Sequence, residues 1–262
     1  MEQTIDTSVL ERVLRRDRTV TLIALLAASL LAWAYILAGA GMDMHSMSMP
    51  DMAMPMASDW TPAYFALMLA MWCIMMVAMM LPSAAPMILL FATVERRRDG
   101  GSPFLATAIF TAAYIIVWLG FIIVATLLQW QLDRLTLLSP AMASTSALLA
   151  AIVLIAVGLY QFTPLKQACL RGCRSPLEFI SRYWGRGPFG IGLRHGIYCV
   201  GCCWMVMLLL FVGGIMNLLW VALIAAFILI EKITPRGEWL SYGAGAALIC
   251  WGGWMLYTHA LA

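Results

Sequence analysis

Long apolar runs separated by short polar stretches dominate this chain. The runs are Val20–Ala40, Ala63–Phe91, Phe104–Trp130, Ser146–Phe162, Ile197–Val212, Ile215–Ile230 and Leu240–His259. A helix needs roughly 20 apolar residues, with about 17 as the lower limit, to cross the hydrocarbon of a bilayer. The pattern predicts an all-α, polytopic membrane helix bundle of about seven transmembrane helices, forming one integral membrane domain over 1–262. The fifth and sixth runs are short and are separated only by Gly213 and Gly214. A glycine pair can make a tight hairpin, and Asn217 can cap the helix that follows. One tilted or broken helix, giving six spans, is the competing reading. The first run follows "LERVLRRDR" and lacks a convincing A-x-A cleavage site, so it reads as a retained helix rather than a removed signal peptide.

Composition agrees with the pattern. The chain is 63% hydrophobic and 11% charged, with a mean hydropathy of +0.90, whereas a soluble domain carries about 25% charged residues. The placement of the charges then gives sidedness. With seven spans, every Lys and Arg except Arg134 falls on the side of the N-terminal tail: Arg12, Arg15, Arg16 and Arg18, then Arg96–Arg98, then Lys166 to Arg194, then Lys232 and Arg236. The positive-inside rule therefore puts the N-terminus in the cytoplasm. Six spans would place Lys232 and Arg236 outside, so charge favours seven. The expected location is a bacterial inner membrane. Trp60, Trp130, Trp184 and Trp239 fall near span boundaries, as an interfacial belt requires. Because membrane orientation accounts for the basic residues, nucleic-acid binding has no support.

This topology places an outer Met-rich loop at 41–60. It contains "MDMHSMSMPDMAMPM", with Met42, Met44, Met47, Met49, Met52, Met54 and Met56 spaced by polar residues and prolines. Such a segment cannot be an ordinary buried helix. Thioethers are soft, neutral ligands that select Cu(I) and, by extension, Ag(I). His45, Asp43 and Asp51 could hold Cu(II) transiently. Low-complexity packing on the membrane surface is the plainer alternative. The second run continues the theme, since Met71, Met75 and Met79 share one helix face and Met76 and Met80 form a neighbouring row. These are either packing residues or a sulfur ladder. Pro82 and Pro86 should bend or break the inner end of that helix.

An inner loop at 163–196 is flanked by cysteines. "KQACLRGCRSP" supplies Cys169 and Cys173, and "RHGIYCVGCCW" supplies His195, Cys199, Cys202 and Cys203. On helices, each set shares a face. Together they would form a soft-metal site near the inner surface, with Lys166, Arg171, Arg174 and Arg194 favouring thiolates. Cu(I) is the favoured occupant. A closed Zn(II) site and C-x-x-C redox chemistry at Cys199 and Cys202 are the alternatives. Glu231 should pair with Lys232 or Arg236 at the membrane boundary. No haem-attachment, H-E-x-x-H, P-loop or dinucleotide signature is present.

The segments "MWCIMMVAMMLPSAAPM", "GLYQFTPLKQACLRGCRSP", "GLRHGIYCVGCCWMVMLLLFVGGIMNLLWVA" and "EKITPRG" resemble a bacterial family of predicted metal-binding integral membrane proteins, a domain of unknown function. The resemblance implies metal binding through Cys169, Cys173, His195, Cys199, Cys202 and Cys203, and implies no reaction. Taken together, the expectation is Cu(I) capture and transfer at or across the membrane rather than enzymatic turnover. The alternatives are a metal-stabilised docking module and a membrane thiol oxidoreductase. The expected partners are the lipid bilayer, a soluble metal carrier or a second membrane protein, and a second copy of the chain.

Overall fold

The computed structural model describes residues 7–38, 60–99, 102–139 and 142–261. Among these the chain folds as helices, with one isolated bridge between Leu138 and Ser144. In order they are α1 (Thr7–Leu37), α2 (Pro62–Asp99), α3 (Phe104–Arg134), α4 (Ala147–Tyr160), α5 (Pro164–Arg174), α6 (Pro176–Tyr183), α7 (Gly187–Met207), α8 (Leu209–Gly213), α9 (Leu218–Ile233) and α10 (Gly237–Leu261). Each predicted apolar run overlaps a helix among the described residues. Among the described residues, four helical stretches are long and apolar enough to cross a membrane, namely Arg16–Leu37, Pro62–Arg98, Phe104–Arg134 and Pro176–Gly213. The pair α4–α5, bent by 65°, is a fifth if taken as one. The Met-rich segment 41–60, apart from Trp60, lies outside the described residues.

Local chemistry explains the boundaries. Ser146 and Thr163 cap α4 and α5 by accepting from the backbone N–H of Leu149 and Lys166, and Pro164 occupies the first turn of α5. Asn217 caps α9 by accepting from Trp220 N at 3.2 Å. Gly214 takes φ +92°, a backbone that L side chains rarely adopt. Gly213–Gly214 therefore interrupts the helix, and the Trp220 indole of α9 donates back to the Leu209 carbonyl of α8 at 2.7 Å. Most of the expected loop 163–196 is also helical, as α5, α6 and the start of α7.

Pro82 and Pro86, expected to bend or break α2, do not break it; helix continues through both. Pro82 cannot donate to the carbonyl of Ala78. The Ser29 hydroxyl of α1 donates to that carbonyl instead, at 3.3 Å. The α1–α2 pair is tied again by the ion pair of Arg96 with Asp17.

Side chains are arranged inside out relative to a soluble protein. Met68, Met71, Met75, Met76, Met79, Met80 and Met87 of α2 are buried in the common core, while Leu30 and Leu31 of α1 and Leu105 and Val124 of α3 face outward. An exterior this apolar suits hydrocarbon rather than water. α7 lies against α3 with Gly192 on the Phe110 carbonyl and Gly196 beside Val117 and the Tyr114 carbonyl. These two small residues, one turn apart, let the backbones approach closely. That approach brings Tyr114 to the cysteines of α7.

Candidate metal centre

Two helices bring the cysteines together. α5 carries Cys169 and Cys173 one turn apart, and α7 carries Cys199, Cys202 and Cys203. The Cys173 and Cys202 sulfurs are 4.0 Å apart. Two sulfurs bridged by one metal, at about 2.3 Å each, can lie up to about 4.6 Å apart. Cys199 lies one turn before Cys203 on α7. Cys199, Cys202 and Cys203 have no solvent exposure. Cys169 sits slightly apart, its sulfur resting on Gly201 of α7, where an added Cβ would come within 2.7 Å of it. The Tyr160 hydroxyl holds this part of α7 by donating to the Gly201 carbonyl at 2.5 Å.

The thiols of Cys202 and Cys203 donate to the Cys199 carbonyl at 3.1 and 2.9 Å. In that rotameric state no three His, Cys, Asp or Glu side chains among the described residues form a ready metal-holding set.

The cation at the thiols is not one of those expected from sequence. Lys232 of α9 places its Nζ 3.0 Å from Cys199 Sγ and 3.0 Å from Ser83 Oγ. The Tyr114 hydroxyl lies 3.2 Å from the same sulfur. Lys166 points elsewhere. Its ammonium pairs with Glu231 at 2.7 Å and donates to Gln161, and Ser241 donates to Glu231. Glu231 therefore pairs across 65 residues, not with Lys232 or Arg236. Arg174 reaches the Pro235 carbonyl and lies 3.9 Å from Glu238, Arg194 lies over the Tyr183 ring, and Arg171 donates to the Gln167 carbonyl.

His195, one turn before Cys199, stacks against Tyr114 and Phe110 with ring centroids 5.4 and 6.0 Å away. Both of its ring nitrogens are buried without a hydrogen-bond partner. It lies one turn from Cys199 on the same helix. Cys73 and Cys250, which sequence left out of the cluster, are half-buried and exposed respectively. Met71, Met75 and Met79 line the core face of α2. The same helix reaches the thiol site through Ser83, whose Oγ donates to the Met80 carbonyl at 2.9 Å and accepts from Lys232. Met42, Met44, His45, Met47, Met49, Met52, Met54 and Met56 lie outside the described residues.

Sequence spacing alone missed Tyr114, Ser83 and Lys232 as neighbours of Cys199, because they arrive from three other helices. No curated protein and no solved structure gives a significant match to the chain. Residues 69–255 match the PpoB2 family, described as a copper chaperone. That span contains all the clustered cysteines, His195, Lys232 and the methionines from Met71 onward. With most of its length matched, the chain belongs to the PpoB2 copper chaperone family.

Proposed function

We propose that this protein is a membrane-embedded chaperone for Cu(I), with seven spans and its N-terminus in the cytoplasm of a bacterium. The carrying observation is the approach of cysteines from α5 and α7, with the Cys173 and Cys202 sulfurs 4.0 Å apart and Cys199 buried one turn along, in the same core as the methionines of α2. Copper is the cargo. Thioethers of the outer loop collect it, the methionines of α2 pass it inward, and Cys173, Cys199 and Cys202 or Cys203 receive it. Thiolates bind Cu(I) more tightly than thioethers do, so the ligand series gives the transfer a direction without ATP. His195, buried and unpartnered one turn before Cys199, is an optional further ligand.

A metal staple for the inner segment is the weaker reading. α5 is already fixed without metal by its Thr163 cap, by the Lys166–Glu231 pair and by Gln167, whose amide donates to the Gln161 carbonyl at 3.0 Å. A thiol oxidoreductase is weaker too, because Cys199 and Cys202 offer no exposed sulfur to a protein disulfide. Beside α5 a cleft lined by Arg171, Ser175, Glu178, Arg182 and Tyr198 opens to the surface. This is the natural place for a soluble metal carrier to collect the ion.

The test is transfer in proteoliposomes containing a Cu(I)-specific dye, with Cu(I) supplied outside as a weak complex. The wild-type protein should load the dye faster than empty vesicles do, and Cys199→Ser and Met75→Leu/Met79→Leu should slow it. Equal loading by wild type and Cys199→Ser would contradict the proposal.

A further inference from the structure

The cysteine cluster is not the only place where sulfur atoms converge on a buried polar point. Near the start of α2, Met68 and Trp72 lie one turn apart and are fully buried. Opposite them stands Gln129 of α3, also buried, and beside it Met142 from the segment that follows α3. The Trp72 indole N–H donates to Gln129 Oε1 at 2.7 Å. That bond fixes which way the amide faces, so the amide nitrogen points at two sulfurs. It donates to Met142 Sδ at 3.1 Å and to Met68 Sδ at 3.5 Å.

Thioether sulfur is a weak acceptor. Burying an amide N–H₂ against two of them, with a carbonyl oxygen for neither, is a poor arrangement for stability alone. The backbone at Met142 adds to this, because its φ of +55° lies in the left-handed region that non-glycine residues rarely adopt. The turn is held there by Met142 N donating to the Ser139 carbonyl and by Ser144 N donating to the Phe211 carbonyl, each at 2.7 Å. Strain of this kind is kept where surrounding structure enforces it, and it is common at ligand sites. Here it turns a methionine from a connecting segment into the core.

We infer that Met68 and Met142 form a two-thioether site for a monovalent soft cation, Cu(I) or Ag(I), at the point now filled by the Gln129 amide hydrogens. The lone pairs of both sulfurs already meet a partial positive charge at that point. A soft cation takes the same position when the amide turns aside, and two sulfur donors suit a soft monovalent ion. Asp133, one turn further along α3, holds the Trp60 indole N–H at 2.7 Å and brings a carboxylate close to the incoming charge. The site lies about three helical turns of α2, roughly 18 Å, from Met80 and the thiols. It gives the ion a first buried stop before the methionine face. The choice of ligand rests on the copper reading above, whereas the existence of the site does not depend on the cysteines.

The test uses full-length protein in detergent, titrated with Ag(I), with bound silver counted after dialysis and affinity read by competition. Met68→Leu/Met142→Leu keeps side-chain volume and should bind one Ag(I) fewer than wild type. Met142→Leu alone should weaken that ion by more than about tenfold, the lower end of what losing even an outer-shell partner costs a metal site. Gln129→Met puts a third thioether in place of the amide and should tighten binding, a gain that damage to the fold does not produce. Met216→Leu/Met255→Leu should bind as wild type does. Cys173→Ser/Cys199→Ser should keep the outer ion. If that cysteine variant loses no silver while the Met68/Met142 variant loses its ion, the inner reading fails and this site stands. Unchanged stoichiometry and affinity in Met68→Leu/Met142→Leu would overturn the inference.

Discussion

Lys232 Nζ lies 3.0 Å from the sulfur of Cys199, and the two residues are 33 positions apart on different helices. The same ammonium donates to Ser83 at 3.0 Å, which joins α2, α7 and α9 at one point. Lys232 thus orients the central thiol from outside the set of sulfurs. Partners of this kind typically change metal affinity by about 10–100-fold when removed. Lys232→Met, which keeps an unbranched chain of similar length, should weaken Cu(I) binding by about tenfold or more in competition with a chelator. Met75→Leu, about two helical turns before Ser83 on α2, should not change the affinity of the inner site. Wild-type affinity in Lys232→Met would remove Lys232 from the account.

The neighbouring Glu231 serves a different network. Its pair with Lys166 is completely buried on both sides. Breaking a buried pair by removing one charge costs roughly 3–5 kcal/mol, while replacing both partners by apolar groups is often close to neutral. Glu231→Gln should therefore lower the thermal midpoint in detergent sharply, and Lys166→Met/Glu231→Met should recover most of the loss. A double variant as unstable as Glu231→Gln would contradict this description.

The path of α2 through Pro82 depends on a side chain of α1. Ser29→Ala leaves the Ala78 carbonyl without a donor. The expected loss is about 1–3 kcal/mol, the cost of an unsatisfied buried polar group. In a Pro82→Ala background the backbone N–H returns, and Ser29→Ala should then cost clearly less. Equal costs in both backgrounds, measured by unfolding, would show that Ser29 does not complete the helix.

Much of this structure could be read from local sequence. The positions of the helices followed from the apolar runs, and the α8–α9 break followed from Gly213, Gly214 and Asn217, because a turn and its cap are neighbours in the chain. The cysteine pairs were visible for the same reason: spacing on a helix places Cys169 with Cys173 and Cys199 with Cys203. Pairings between helices were not visible. Proximity along the chain points Glu231 to Lys232 or Arg236, yet its partner is Lys166, and Lys232 turns to the thiols. The continuity of α2 depended on Ser29, which sequence gave no reason to connect with Pro82. Met142 gave no signal at all, since its burial comes from a left-handed turn and a contact with α8.

The most direct measurement of the central claim is the copper content of protein isolated from membranes of copper-supplied cells, compared across cysteine variants. The account predicts that Cys173→Ser and Cys199→Ser each lose one bound copper relative to wild type. Cys73→Ser and Cys250→Ser, which alter thiols outside the cluster, should lose none. Equal copper in Cys199→Ser and wild type, or equal losses in all four variants, would contradict a copper centre built on Cys199.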